Sequence, residues 1–164
     1  MSRADLDKLT AKFPAAVVSS HSRFGDDTAV IRSGDFVAVM TWLKSEAGFD
    51  FLVDVTAVDY LGRDLRFEVV YHLRSMKTGS RLRITLQVGQ IEDGPPPEVP
   101  SMVDLWPSAN WAEREVYDMY GIRFAGHPKL QRILLYEEFI GHPLRKDYPK
   151  EKRQPLIRRD YSVT

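Results

Sequence analysis

Two segments of strict alternation constrain this chain more than anything else in it. Across 65–73, Leu65, Phe67, Val69, Tyr71 and Leu73 alternate with Arg66, Glu68, Val70 and His72. Across 81–88, Leu82, Ile84, Leu86 and Val88 alternate with Arg81, Arg83, Thr85 and Gln87. A period of two sends successive side chains to opposite faces of a strand, so each segment presents one apolar face. The stretch 51–58 is rich in β-branched residues and reads as a third strand. Turn sequences at Leu61-Gly62-Arg63-Asp64 and Lys77-Thr78-Gly79-Ser80 join the three into an antiparallel meander whose apolar face must be covered.

The first fifty residues supply cover. A helix is expected over 2–13, with Leu6, Leu9 and Phe13 on one face and Pro14 ending it. Two strands, 15–20 and 28–32, flank a Gly25-Asp26-Asp27 turn. A second helix over 35–47 places Phe36, Val39, Met40 and Leu43 at helical spacing, and Gly48 stops it. These residues read as core. The fold class is therefore α+β in two layers: an antiparallel or mixed sheet of about four to five strands covered by two N-terminal helices, with a helix-and-turn C-terminal extension. Three parts follow: a core over 1–100, ending in a Pro95-Pro96-Pro97 loop; a helix-and-turn region over 101–149; and a basic, extended tail over 150–164, expected to be mobile until a partner orders it.

The region from 110 to 149 is dense in charged, aromatic and turn-forming residues. Asn110 is placed as an N-cap with Glu113 completing a capping box, and Gly121 as the left-handed stop. Between them Ala112, Val116 and Met119 or Tyr120 form an apolar stripe, and Arg114 faces Asp118 at i,i+4. The tripeptide Gly-His-Pro then occurs twice, at 126–128 and 141–143, followed by Leu130 with Arg132 and by Leu144 with Arg145 and Lys146. A residue before proline is confined to extended backbone, so each histidine sits on a turn.

At 164 residues the chain has one domain's worth of sequence, with a formal net charge of +0. Zero net charge gives no basic field for nucleic acid or acidic lipid. The absence of cysteine removes disulfides, thiolate zinc sites and cysteine-ligated iron–sulfur clusters. No signal peptide is read at the start, and no apolar run approaches the roughly 20 residues that span a bilayer. No Gly-rich phosphate loop, dinucleotide fingerprint or nucleophile elbow is present.

Taken in order, Glu113-Arg114-Glu115-x-x-Asp118-x-x-Gly121, His127-Pro128, Arg132-Ile133-Leu134 and Gly141-His142-Pro143-Leu144-Arg145-Lys146-Asp147-Tyr148-Pro149 resemble the signature of one family. It is the 30 kDa subunit of respiratory complex I, the NADH-quinone oxidoreductase. The stretches 53–60 and 66–71 resemble it too, and Gln131 departs from the pattern. The resemblance implies a cofactor-free subunit of the peripheral arm, with no catalytic or metal-ligating residue of its own. FMN, the iron–sulfur clusters and quinone would belong to partner subunits, and this chain would sit near those holding the terminal cluster and the quinone site. It would lie on the cytoplasmic side of the plasma (inner) membrane, reaching the membrane only through the complex. Partner contacts are expected to be organised by Glu113, Arg114, Glu115, Asp118, Gly121, His127, Pro128, Arg132, His142, Pro143, Arg145, Lys146 and Asp147.

Other readings stay open at this point. A subunit of a complex-I-related membrane-bound hydrogenase or of another donor:quinone oxidoreductase shares the resemblance. From another class, His127, His142 and Glu113 could serve a stand-alone metal enzyme, although their spacing matches no helical histidine motif. The basic residues 145–159 could touch RNA, but acids are interspersed.

Overall fold

The computed structural model describes residues 3–89 and 94–155. In chain order its elements are α1 (Ala4–Lys12), β1 (Val17–Arg23), β2 (Asp26–Ile31), α2 (Phe36–Ser45), β3 (Phe51–Asp59), β4 (Phe67–Arg74), β5 (Arg81–Val88), β6 (Glu98–Pro100), α3 (Ala109–Tyr120) and β7 (Arg123–Ala125). The five longer strands form one sheet in the order β1-β2-β5-β4-β3, and β6 pairs with β7 separately. β3, β4 and β5 are the expected antiparallel meander. β2 then lies parallel to β5, which makes the sheet mixed, and α2 carries the chain from β2 to the far edge at β3.

Register puts the apolar positions in rows. Tyr71 stands opposite Val55 on one side and Ile84 on the other, and Leu73 opposite Leu52 and Leu82. Leu6 and Leu9 of α1 and Phe36, Val39, Met40 and Leu43 of α2 close over this face as one buried cluster. Each such side chain contributes about 1.5–3 kcal/mol on burial. The cluster continues through Val99, Met102, Trp106, Ala109 and Val116, so α3, packed along β3, shares the cover with the N-terminal helices.

Several boundaries move for physical reasons. The first hairpin turns at Phe24-Gly25, both at positive φ, and Asp26 and Asp27 join β2 instead of the turn. A 3₁₀ turn over Ser33–Asp35 precedes α2. Within the Pro-rich loop, β6 forms because β7 offers it a partner, and Arg123 N–H donates to Pro97 O at 2.8 Å. α3 begins at Ala109, and the expected capping box at Asn110 does not form. Its start is fixed from outside: Trp106 Nε1 donates to Phe49 O at 3.3 Å and Ser108 Oγ to Leu52 O at 3.1 Å. The buried side of α3 is accordingly Ala109, Glu113, Val116, Asp118 and Met119, which draws two carboxylates into the protein.

Candidate functional site

Gly121 ends α3 in the left-handed conformation, with φ at +73°. β7 follows, and residues 126–155 then contain no further helix or strand. Such a segment must satisfy its backbone polar groups without a ladder. Here side chains do it, and they tie the segment along α3 as a strap.

The strap starts at the N-terminal end of the helix. His127 Nε2 lies 3.0 Å from Asn110 O, while His127 Nδ1 accepts from Lys129 N–H at 3.0 Å, which selects the neutral ring protonated on Nε2. Midway along the helix, Arg114 donates from Nε to Gln131 O and from Nη2 to Arg132 O, each at 3.1 Å. The expected Arg114–Asp118 pair is therefore replaced by contacts to strap carbonyls. Gln131, which departs from the family pattern, takes part through its backbone carbonyl.

Asp118 is the centre. It is 0 % exposed and accepts Arg132 Nη1 at 2.7 Å together with the backbone N–H groups of Ile133, Leu134 and Leu135 at 3.1, 2.9 and 2.9 Å. Burial pushes its carboxyl up. The Leu135 N–H, Arg132, and the Leu134 and Ile133 N–H groups outweigh burial and hold it below the ordinary value. Arg132 reaches on to Phe139 O and Gly141 O at 3.1 and 3.2 Å, tying two parts of the strap to one guanidinium. His142 Nδ1 donates to Asp118 O at 2.9 Å, and burial is the main cause lowering its pKa.

Arg145 donates to Tyr120 O at the end of the helix, and the strap then crosses to the sheet. Lys146 N–H donates to Asp59 Oδ2 at 2.8 Å. Arg66 forks onto Asp59 at 2.8 and 2.7 Å and reaches Asp147 at 2.8 Å, forming a clasp between β3, the start of β4 and the strap. Burial raises the Asp59 carboxyl, but Arg66 and the Lys146 N–H overcome it and leave the pKa lowered. Asp147 is lowered chiefly by its bond to Arg66. Residues 150–155, the described part of the tail, reach back to 140 and 148 through Gln154. Gln154 Oε1 accepts from Ile140 N–H at 2.9 Å, and its Nε2 donates to Ile140 O at 2.6 Å and Tyr148 Oη at 2.9 Å. Residues 156–164 of the tail lie outside the described residues.

Gly121 is needed for space as well as for its φ. A Cβ there would lie 2.5 Å from His142 Nε2 and 2.6 Å from Arg145 Nη2. The structure thus brings Arg114, Asp118, Gly121, Arg132, His142, Arg145, Lys146 and Asp147 into one network, with His127 at its far end. Glu115 and Pro128 are exposed and Pro143 is half-buried. Glu113 stands apart, wholly buried and turned to Ser101 and Met102. His127, His142 and Glu113 have separate partners, and among the described residues no group of three or more His, Cys, Asp or Glu is placed to hold a metal. Asp59 and Arg66 lie in the stretches 53–60 and 66–71 that resemble the family, but neither has a bonding role legible in the sequence, and no local pattern marks Gln154.

Outside this network, apolar side chains face solvent. Trp111 is 70 % exposed on α3, and Leu134, Ile140 and Leu144 on the strap are 62, 69 and 52 % exposed. Tyr117 and residues 130–137 line an open groove of about 760 Å³. Among the described residues no helix is long and apolar enough to cross a membrane.

The family described as respiratory-chain NADH dehydrogenase, 30 Kd subunit, matches residues 29–154, from the middle of β2 through nearly all of the described strap. The corresponding NADH-quinone oxidoreductase subunit of Geotalea uraniireducens is 44% identical over 142 residues, covering 87% of this chain and 84% of that protein. Its counterpart in a Roseiflexus species is 49% identical over 146 residues, covering 88% and 82%. Among solved structures, a trypsin-resistant fragment of Nqo5 superposes with a TM-score of 0.63 at 36% identity, covering 77% of this chain and 99% of the fragment. A chain of the membrane-bound sulfane sulfur reductase, an archaeal respiratory membrane complex, shares the fold with a TM-score of 0.72 at 22% identity, over 91% of this chain and 86% of that one. The sheet, the strap along its third helix and these likenesses lead to one conclusion: this chain belongs to the 30 kDa subunit family of respiratory-chain NADH dehydrogenase.

Proposed function

We propose that this chain is a cofactor-free structural and assembly subunit in the peripheral arm of a proton-translocating NADH-quinone oxidoreductase. In this reading it supports electron transfer from NADH to quinone through FMN and iron–sulfur clusters held by partner subunits. It binds the subunits that carry the quinone site and the terminal cluster, and it meets the membrane only through them, on the cytoplasmic side. The observation that carries the reading is the strap itself. Its backbone is fixed from within, yet it turns Leu134, Ile140 and Leu144 outward. Exposed apolar side chains on a rigidly held segment suit a protein partner, because little ordering entropy remains to be lost on docking. Glu113 and Asp118, wholly buried in their own chain, serve such contacts by holding the elements that make them.

Arg114→Ala in the native membrane complex tests this. Loss of two bonds to strap carbonyls loosens the docking segment without touching electron carriers. The expected outcome is less assembled complex on native gels, with NADH- or quinone-linked turnover per assembled complex close to normal. Full assembly with lost turnover would instead place α3 in the chemistry.

A further inference from the structure

The face of the sheet turned away from the helices gathers cations at one end, and strand register sets them there row by row. Arg74 stands directly opposite Arg81, and His72 directly opposite Arg83. On β2, Thr28 pairs with Arg83, and Asp26 lies two residues before it on the same face. Arg83 Nη2 donates to Asp26 Oδ2 at 3.0 Å and Nη1 to Thr28 Oγ1 at 3.4 Å. Arg81 Nη2 lies 4.0 Å from Asp26 Oδ1, so one carboxylate is shared between two guanidiniums. Arg23 stands opposite Asp26, and Asp54 opposite His72. Asp26, Val53, His72, Arg81 and Arg83 are among the residues lining a pocket of about 230 Å³ here. It lies at the other end of β4 from the Arg66 clasp, apart from the strap and the groove beside it.

Like charges placed directly across a strand pair repel. Arg74 and Arg81 form such a pair, and among the described residues no carboxylate is bonded to Arg74. In the next row burial and then Arg83 lower the His72 pKa, and Asp54 and Asp26 oppose them only in part. Together Arg23, Arg74, Arg81 and Arg83 answer to two carboxylates, Asp26 and Asp54, which leaves two positive charges over in a chain of net charge +0. We propose that this pocket binds a phosphate group, held by Arg81 and Arg83 with Arg74 opposite and His72 beside them. A phosphate carries about −1.5 to −2 charges near neutrality, which matches that surplus, whereas a carboxylate covers half of it. Guanidinium forks fit its oxygens, and Arg81 and Arg83, two apart on one strand, project from the same face. The volume is several times the ~30 Å³ share of one water and below the roughly 300 Å³ at which drug-sized ligands are held, so it suits a small phosphate compound. Asp26 is the internal competitor, because it neutralises part of the charge the phosphate would meet. The site stands independently of the docking surface on the strap.

The test titrates the full chain, ¹⁵N-labelled at arginine and histidine, with inorganic phosphate at pH 7, with sodium chloride holding the ionic strength constant. The expected result is a saturable shift of the Arg81 and Arg83 Nε and His72 ring signals, while those of Arg66 and Arg132 stay fixed. Arg83→Gln should weaken binding about tenfold through loss of a charge-assisted contact. Asp26→Asn should tighten it about threefold or more by removing the competing charge, an effect that a packing role for Asp26 would not produce. Glycerol 3-phosphate distinguishes the source of the group: binding tighter than that of phosphate assigns the site to a phosphate ester, and weaker binding assigns it to free phosphate. Shifts that grow without saturating, or that sodium chloride alone reproduces, overturn the proposal. So does an Asp26→Asn chain that binds phosphate more weakly than the parent. The titration of the unsubstituted chain decides the matter even where a variant fails to fold.

Discussion

Asp118 collects four donors from the strap on one wholly buried carboxylate. Its removal leaves the Arg132 guanidinium short of its counter-charge and three backbone N–H groups unpaired. Asp118→Ala is therefore expected to lower the free chain's unfolding free energy by about 3–5 kcal/mol, as breaking a buried pair does, measured by urea titration at pH 7. The exposed Glu115 on the same helix provides the contrast, and Glu115→Ala should stay within about 0.5 kcal/mol of the parent. Gly121→Ala combines a strained φ with a collision at His142 and Arg145. A loss of about 1–3 kcal/mol or more is expected, with the thermal midpoint as the readout.

At the level of elements, the part of the strap seated on Asp118 and Arg132 is held by bonds to α3 and within itself. The strap meets the sheet further on, at Asp59 and Arg66, so residues 133–135 should open without the sheet. Arg132→Ala releases Asp118, Phe139 O and Gly141 O together. In amide exchange, Ile133, Leu134 and Leu135 should lose protection by about tenfold or more while β4 and β5 keep theirs, since local opening follows local bonding. Equal loss in β4 and β5 would show that strap and sheet form one cooperative unit. The same difference in bonding explains what the sequence disclosed. β4 and β5 were legible because alternation is local, and Leu82 or Val69 declares its face within a few residues. The parallel pairing of β2 with β5 was not, because Thr28 finds Arg83 across an intervening helix and two strands. Glu113 fits a capping box by spacing, but the Met102 N–H and Ser101 hydroxyl compete for its carboxylate and win through tertiary packing. The strap residues were legible as a family signature, whereas their bonding was not. Side chain-to-carbonyl bonds such as Arg114 to Gln131 O leave no periodicity to read.

Across the whole molecule, the two buried carboxyls of α3 respond to pH in opposite senses. The Asp118 pKa is depressed on folding, so its contribution is present above the ordinary carboxylate value and is lost as pH falls through the folded value. Asp59 and Asp147 behave alike. Glu113 is raised from 4.5 to about 7, so its contribution is complete below the lower value and fades as pH climbs to the upper one. The fading amounts to about 3 kcal/mol by linkage. His142 and His72, both lowered by burial, work against this fade up to the ordinary imidazole value, so the carboxyl is read from a difference. The urea midpoint of Glu113→Gln should gain on that of the unsubstituted chain as pH rises from 5 to 8, while a difference that stays constant across this range would contradict the raised Glu113. The strap also has a consequence for how such a surface can change. Its anchors grip main-chain atoms of residues 131–135, 139 and 141, and those atoms are the same whatever side chain is attached. The outward side chains of Leu134 and Ile140 can therefore be exchanged for others without undoing the grip. One fixed frame can be refaced to match differently shaped neighbours, much as a type holder takes new letters.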